Sequence, residues 1–431
     1  MDKFEIDACV KWIDEKNFQK IALQVPDDDL DKVHDLIDRL KSASQNENIE
    51  FFLVGDGCSP CCNDLLNGQY CQAQGLIHFG HSCLSSTSDD KQQSISIFYV
   101  FYQRSLPSDA STFLSTNDDN NDNKPYRLVF FDPCFRDAIE QYSSSSSNLI
   151  FSKINNENIT DSSCFSLYGR SVHLPVTLDP SNYSIIFISH SKASLHNFAL
   201  YFYAYEFYSF PSSSISSSKL ISKRMYAIEC ARNGSSYGLL ISSNSLLNLP
   251  STIHTLLDRI KSVFDKNNRQ YYTFLMNTLS ITKLNNFERN IDTFVLCSSC
   301  PESLWLSPEH KQFNIPLISL ADIVQAFETT DENLSMNYSF DLQQILSIMK
   351  PIDSNDITNK VEETKSLVLK HPNSLVLQQR DGINRGLDNT QKWWGLQMNE
   401  DDKNDEKEKH PIAELKEGIT GIAAGYNHEK F

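Results

Sequence analysis

The chain has 431 residues, with 38 basic and 55 acidic side chains and a formal net charge of -17 at pH 7. This length allows two to four domains, and the acidic balance argues against a protein that clamps nucleic acid phosphates or an anionic membrane. The N-terminus has acidic residues where a signal peptide has a basic start, and no run approaches the roughly 18 apolar residues of a spanning helix. We therefore expect a cytoplasmic protein, in which clustered cysteines indicate metal or redox chemistry more often than disulfides.

The first part of the chain alternates short apolar runs with amphipathic segments, as in a parallel sheet with crossover helices. A strand is predicted at residues 21–26, followed by an acidic turn and a helix at 30–43. Further strands are predicted at 51–56, 75–80 and 94–102, with a helix at 62–74. The polar stretch at 115–124 then predicts a domain boundary.

The same alternation restarts twice. The second unit is predicted to contain strands at 127–132 and 183–189 and helices at 136–142 and 194–207, with serine-rich loops at 143–147 and 212–218. A helix at 223–233 follows the second of these loops, at the start of the third domain. The third unit is predicted to contain strands at 237–242, 271–277 and 292–301 and a helix at 252–264. The sequence thus predicts an α/β protein with parallel sheets in three consecutive domains, at 1–122, 123–222 and 223–352, and a polar C-terminal tail at 353–431.

Five of the eleven cysteines lie in residues 51–88, around two predicted strands. Ligands of parallel sheets gather at the carboxyl ends of strands, so cysteines at those ends are candidates for a cofactor site. If the first and third units face each other, thiolates from three strand ends can surround one cofactor. Three cysteines around a cubane cluster leave one iron open to substrate, whereas a fourth closes the cluster. The cysteines at the strand ends are Cys58, Cys61, Cys62, Cys83, Cys297 and Cys300.

Spacing alone leaves an iron–sulfur site, a zinc site and a metal-free cluster open. Cys297 and Cys300 have the two-residue gap of a zinc knuckle or a thioredoxin-like pair, but no second such pair completes a four-ligand zinc site. His78 and His81 are candidate ligands or acid–base groups, although a satisfied strand histidine and a surface loop histidine are the simpler interpretation. The remaining cysteines are predicted to be small apolar fillers: Cys9, Cys71, Cys134, Cys164 and Cys230.

Several segments resemble the diphthamide synthesis family, in the family's order: LQVPDDDL, VGDGCSPCCNDLL, GLIHFGHSCLSST, YGRSVHLP with FISHSKASLHNFALYF, FVLCSSCPES and the terminal GITGIAAGYNHEK. The resemblance covers most of residues 21–316 and the last dozen or so residues. It implies three Rossmann-like domains and a 4Fe-4S cluster held by cysteines from different parts of the chain. It also implies a reaction that cleaves S-adenosylmethionine at its Cγ–S bond and transfers a 3-amino-3-carboxypropyl radical to C2 of a histidine in elongation factor 2.

Carried over residue by residue, the resemblance assigns Cys62, Cys83 and Cys300 as cluster ligands. Cys61 stays open as an alternative to Cys62, and Cys300 is favoured over Cys297 because it directly precedes a proline, as in the family's Cys-Pro pair. The family's catalytic subunit takes one further cysteine from its second domain, shortly after the segment resembling YGRSVHLP. This chain has no cysteine there.

That departure implies the accessory subunit of a heterodimer whose partner is the catalytic first subunit and whose protein substrate is elongation factor 2. The resemblance then implies that the cluster helps to reduce the partner's cluster, with electrons from a small iron-containing donor protein, and that the partner handles S-adenosylmethionine. A cluster-free scaffold that only stabilises the partner is the alternative. The apolar segment 418–426 is expected to dock on the body of the protein, with Trp393 and Trp394 nearby, because a disordered end would stay polar.

Overall fold

The computed structural model describes residues 3–46, 48–55, 60–84, 95–116, 124–142, 148–154, 164–211, 217–276, 279–300, 302–303, 315–328 and 338–349. All of these residues belong to one compact unit, Met1–Leu367. They form three parallel four-stranded sheets and one small antiparallel sheet, which confirms the predicted α/β class. The predicted tail, with Trp393, Trp394 and the docking segment, lies outside the described residues.

The first sheet has the strand order β2-β1-β3-β4, with all neighbours parallel. All five residues of the inner strand β3 are buried, as expected for a strand covered on both faces. In the helix after β1, the buried residues Val33, Leu36 and Leu40 recur at helical spacing and face the core. The elements of this part are α1 (Ile6–Lys16), β1 (Lys20–Gln24), α2 (Val33–Ala43), β2 (Glu50–Val54), α3 (Leu65–Tyr70), β3 (Gly75–Phe79), β4 (Ser96–Val100) and α4 (Ser108–Thr116).

The second sheet has the order β11-β10-β5-β6, and a separate antiparallel sheet, β7-β9-β8, is formed by residues between β6 and β10. Its elements are β5 (Tyr126–Phe131), α5 (Arg136–Glu140), β6 (Leu149–Phe151), β7 (Lys153–Ile154), β8 (Cys164–Leu167), β9 (Arg170–His173), β10 (Tyr183–Ile188), α6 (Lys192–Tyr201) and β11 (Glu206–Phe210).

The helix predicted at 194–207 is wrong at its C-terminal end. It stops at Tyr201, and Glu206–Phe210 forms the edge strand β11. Residues 198–205 are all apolar or aromatic, and this run extends past the end of the helix to the residue before the strand, so the sequence pattern hides the boundary. Aromatic residues favour strands, and pairing with β10 decides the outcome.

The third sheet has the order β13-β12-β14-β15, again with all neighbours parallel. Its strands share a large apolar core with residues of the second sheet, whereas the first sheet has a core of its own. The elements are α7 (Ser217–Asn233), β12 (Ser236–Ser242), α8 (Ser243–Asn248), α9 (Pro250–Lys266), β13 (Gln270–Met276), α10 (Ile281–Asn285), β14 (Thr293–Cys297), β15 (Leu317–Ser319), α11 (Leu320–Phe327) and α12 (Leu342–Ile348).

All three parallel sheets share one topology, in which the first strand in the chain lies between the second and the third. The strand order therefore reverses beside the first strand of each sheet, and ligands of such sheets bind outside the carboxyl ends of the strands at this point. In the first sheet the point lies between β1 and β3, and in the third sheet between β12 and β14. The domain boundaries at residues 122, 222 and 352 stay predictions. No helix among the described residues is long and apolar enough to cross a membrane.

Candidate metal centre

Four buried cysteines, Cys61, Cys62, Cys83 and Cys300, form one cluster at the carboxyl ends of the first and third sheets. Their Sγ atoms all lie within 4.8 Å of one another. The Sγ atom of Cys61 lies 3.5 Å from that of Cys300, and the Sγ atom of Cys62 lies 3.8 Å from that of Cys83. Four soft sulfur donors in one buried cluster are a ligand set for zinc or an iron–sulfur cluster.

Local structure in the first sheet places three of these thiols. Cys61 and Cys62 lie between β2 and α3, where the Asp64 carboxylate caps the helix by accepting a hydrogen bond from the backbone N–H of Asn67. Cys83 follows β3 after a turn at Gly80, whose φ of +96° favours glycine. The backbone N–H of Cys83 donates to the carbonyl oxygen of Cys61 at 3.1 Å, which joins the two loops.

The fourth thiol comes from the third sheet. Cys300 follows β14, and its backbone N–H is 3.2 Å from the hydroxyl oxygen of Ser298, which accepts the hydrogen bond. The backbone N–H of Ser299 donates to the hydroxyl of Ser245 at 2.7 Å and holds this loop against α8. The predicted meeting of cysteines from the first and third units therefore occurs in the structure.

The structure brings together all three cysteines that the resemblance assigned, Cys62, Cys83 and Cys300. It also places the thiol of Cys61 in the same cluster, and the choice of ligands among the four stays a prediction. Cys297 lies in the apolar core of the third sheet, where its thiol is 3.7 Å from the carbonyl oxygen of Val295 and burial raises its pKa to about 12. Cys58 lies outside the described residues. The other described cysteines are absent from the cluster: Cys9, Cys71, Cys134, Cys164 and Cys230.

The thiols influence one another's protonation. Hydrogen bonding with the Cys300 thiol is the largest cause that raises the pKa of Cys61 and of Cys62 well above the usual range, and burial adds to it. In the metal-free cluster these two groups therefore hold their protons at neutral pH. A thiolate is the form that binds a metal, so metal binding must release protons from them.

The spacing of the sulfur atoms provides a test of which metal fits. Sulfur ligands about 2.3 Å from a single tetrahedral ion lie about 3.8 Å from one another, close to the distances in the cluster. A four-iron cluster is larger, because sulfides lie between its irons, and it requires the four thiols to move apart. The donor set fits a zinc ion or a four-iron cluster, and three of the sulfur–sulfur distances, 3.5, 3.8 and 4.0 Å, are near the value for a single ion.

A buried carboxylate, Glu302, joins all three sheets beside the cysteines. Its Oε2 atom is 3.0 Å from Nε2 of His81 and 3.4 Å from the Ser191 hydroxyl, which donates to it. Burial alone would lower the pKa of His81, but the hydrogen bond and charge of Glu302 outweigh burial and raise it. Glu302 is not among the predicted site residues, because a single glutamate in a loop has no periodicity or spacing that distinguishes it.

The corresponding edge of the second sheet is filled by the chain's own polar groups. The Asp132 carboxylate, directly after β5, accepts hydrogen bonds from Arg170 at 3.0 Å and from the backbone N–H groups of His190 and Ser191, which follow β10. Both members of the Asp132–Arg170 ion pair are buried. Among the described residues, this unit contributes no thiol to the four-cysteine cluster.

Comparison with known proteins identifies relatives of the chain. The family model described as diphthamide synthesis protein matches residues 25–339. The chain is 27% identical over 331 residues to 2-(3-amino-3-carboxypropyl)histidine synthase subunit 2 of Xenopus laevis, covering 73% of this chain and 65% of that protein. The protein of the same name from Danio rerio is 25% identical over 344 residues, covering 73% and 66%. The match thus spans slightly less than two thirds of each of these relatives.

A solved structure has the same fold. The crystal structure of Dph2 from Pyrococcus horikoshii with a 4Fe-4S cluster superposes with a TM-score of 0.54 and covers 79% of this chain and 94% of that chain. The sequence identity is 15%, so this likeness concerns the fold.

Proposed function

The chain belongs to the diphthamide synthesis protein family, and from this premise we propose that it is a subunit of the complex that transfers a 3-amino-3-carboxypropyl group from S-adenosylmethionine to a histidine of elongation factor 2. In this proposal the chain is the accessory subunit, it works in the cytoplasm, and its partner is the catalytic first subunit. Its four cysteines hold a 4Fe-4S cluster, which supplies one-electron transfer when bound. The cluster receives electrons from a small iron-containing protein and supports reduction of the partner's cluster.

The number of buried thiols is the observation that carries this assignment. Four cysteines surround one point, whereas three would leave one iron of a cluster open to substrate. A closed cluster favours electron transfer over the cleavage of S-adenosylmethionine. Burial of all four side chains excludes water from the sulfur atoms, and the Asp132–Arg170 pair fills the edge of the second sheet.

The close spacing of the thiols favours one rival, a structural zinc ion in a scaffold subunit. Zinc has no redox chemistry, so a subunit that holds zinc would still bind the catalytic partner but would not transfer electrons to it. The two proposals predict different metals in the same protein. Anaerobic purification followed by assays for iron, acid-labile sulfide and zinc therefore separates them.

The experiment compares the wild-type chain with two cysteine variants after anaerobic reconstitution. We expect a brown protein with equal amounts of iron and sulfide that bleaches with dithionite, and loss of both colour and iron in Cys83→Ala. Cys297→Ala is the matched control, because its thiol lies outside the cluster. If the wild-type protein instead contains stoichiometric zinc and no sulfide, the cluster proposal is wrong and the site holds a structural zinc ion.

The role in the complex requires a second measurement. The chain is co-expressed with the catalytic subunit, and modification of elongation factor 2 is followed by mass spectrometry of the target histidine. We expect both variants to co-purify with the partner and only Cys83→Ala to slow the modification. A Cys83→Ala complex that lacks iron in this chain and still modifies elongation factor 2 fully would contradict the electron-transfer role. The scaffold role would then be the only one that remains.

A further inference from the structure

Two buried polar side chains that touch each other, Gln24 and His78, each bond one of the loops that carry Cys62 and Cys83. Gln24 is the last residue of β1, and His78 is its register partner in β3. Because β1 lies between β2 and β3, Gln24 is flanked by the two strands that precede these loops. Gln24 is 8% exposed and His78 is 0% exposed, so neither side chain relies on water for its hydrogen bonds.

Three hydrogen bonds join these side chains to the backbone of the two loops, and the two side chains also touch each other. The Nε2 group of Gln24 donates to the carbonyl oxygen of Cys62 at 2.8 Å, and its Oε1 atom accepts from the backbone N–H of Asp64 at 3.0 Å. The same Oε1 atom lies 3.1 Å from Nδ1 of His78. On the other side, Nε2 of His78 lies 2.9 Å from the carbonyl oxygen of His81.

The partners determine the orientation of the Gln24 amide. With the amide reversed, its oxygen would face the carbonyl oxygen of Cys62 and its nitrogen would face the N–H of Asp64, so both backbone contacts would become repulsive. The carbonyl of His81 can only accept, so Nε2 of His78 carries the hydrogen of the ring. Burial lowers the pKa of His78 and keeps the ring neutral, so Nδ1 carries no hydrogen and touches Oε1 of Gln24 without a hydrogen bond. Removal of either side chain would take a hydrogen bond away from buried backbone groups of the cysteine loops.

We infer that Gln24 and His78 are positioning residues, which hold the Cys62 and Cys83 loops at the spacing that metal binding needs. They reach the thiols only through the backbone of the loops. Groups that orient metal ligands in this way commonly change metal affinity by about 10–100-fold when they are removed. The inference rests on the proposed function only in that the four thiols bind a metal.

The test measures Cd²⁺ binding by the full-length, metal-free chain, followed by the absorbance of thiolate-to-metal charge transfer. Cd²⁺ is a soft ion that needs the thiols but no sulfide and no partner. We expect Gln24→Met and His78→Phe each to weaken Cd²⁺ binding about 10–100-fold. Circular dichroism and thermal unfolding verify that each variant is folded, and Gln24→Glu, which loses the donor to Cys62, is the second variant at this position.

Gln74 is the matched control within the same sheet. Its Oε1 atom accepts from the backbone N–H groups of Gln19 and Lys20 at 2.7 and 3.3 Å, at the amino end of β1 and away from the cysteine loops. Gln74→Met therefore removes two hydrogen bonds to backbone and should leave Cd²⁺ binding unchanged. An equal loss of Cd²⁺ binding in Gln74→Met would mean that the effect is one of general stability.

The outcomes separate this inference from the proposed function. Folded Gln24 variants that bind Cd²⁺ as tightly as the wild type would overturn the positioning role. If the wild-type chain takes up no iron and sulfide while the Gln24 variants still lose Cd²⁺ affinity, the cluster proposal fails and the positioning role stands.

Discussion

The thiol of Cys61 lies 3.5 Å from the thiol of Cys300, although 239 positions separate the two residues in the chain. The loop before α3 and the loop after β14 therefore meet at a single buried point. Both side chains are nearly inaccessible, at 2% and 4% exposure, so the sulfur atoms are the ligands that this point offers to an ion. The cluster therefore needs residues of both the first and the third sheet, and a substitution in either sheet can test it.

Substitution of Cys61 or of Cys300 by alanine should abolish stable iron binding in the reconstituted protein. Each removes one of four sulfur donors that no other described thiol near the site replaces. Iron and sulfide are measured per chain, with Cys297→Ala as the control that keeps both. If Cys61→Ala retained iron and sulfide at the wild-type level, Cys61 would be a neighbour of the ligands and not one of them.

Gly169→Ala should destabilise the protein by about 1–3 kcal/mol through overpacking. Gly169 has a φ of +69°, and a Cβ atom there would lie 2.5 Å from Cβ of Leu84, the residue directly after Cys83. The strain should therefore reach the Cys83 loop and weaken Cd²⁺ binding as well. Urea denaturation measures the first effect and Cd²⁺ titration the second.

Gly55→Ala is the control for this substitution, because a Cβ atom at Gly55 would meet nothing within 4 Å. We expect its free energy of unfolding to stay within about 0.5 kcal/mol of the wild type. Gly169→Ala with unchanged stability and unchanged Cd²⁺ affinity would show that Leu84 moves freely away from the added methyl group.

Asp132→Ala should lower the free energy of unfolding by about 3–5 kcal/mol, because it leaves the buried guanidinium of Arg170 without its partner. Asp132→Ala also deprives the backbone N–H groups of His190 and Ser191 of their acceptor. The measurement is urea denaturation followed by circular dichroism. Asp258→Ala breaks an exposed pair with Lys261 and should change stability by less than about 1 kcal/mol, so a similar loss in both variants would refute this explanation.

The contribution of Asp29 to stability should disappear in acid. Burial opposes the charged form, but hydrogen bonds from Lys3 and Lys32 outweigh it and lower the pKa of Asp29 from 3.8 to about 2. Because the pKa in the folded state is depressed, the stabilisation is complete above about pH 4 and is lost as the pH falls towards 2. The difference in unfolding free energy between wild type and Asp29→Asn should therefore shrink over this range.

Asp28→Asn changes an exposed neighbour in the chain and serves as the control. Its unfolding free energy should follow that of the wild type at every pH. A difference between wild type and Asp29→Asn that stayed constant from pH 7 to pH 2.5 would show that the carboxylate contributes through packing and not through its charge.

Part of the site could be predicted because it depends on local rules. Strands β3 and β14 are short apolar runs, and Cys83 and Cys300 follow them closely, where parallel sheets bind ligands. The sequence also shows directly that the second unit has no cysteine shortly after the segment YGRSVHLP. These predicted strands are present in the structure because the apolar residues of a short run are enough to indicate a buried strand.

The boundary of α6, the antiparallel sheet β7-β9-β8 and the fourth thiol could not be predicted in the same way. The strand β11 forms because β10 offers it a parallel neighbour, and residues 164–173 form a hairpin of which the sequence pattern gave no sign. Pairing between strands depends on residues far apart in the chain, and it can override local preference.

The sequence by itself determined the α/β class, the family and the set of candidate cysteines, because strand periodicity, short motifs and residue types are local properties. Only the tertiary structure decided that the thiol of Cys61 lies beside that of Cys62, and that Cys297 lies in the apolar core. It also decided that Gln24, His78 and Glu302 bond the loops that carry the cysteines or their neighbours. The local sequence does not distinguish neighbouring or similarly spaced cysteines from one another. The packing of two sheets distinguishes them, because it places one thiol in the cluster and buries another among apolar residues.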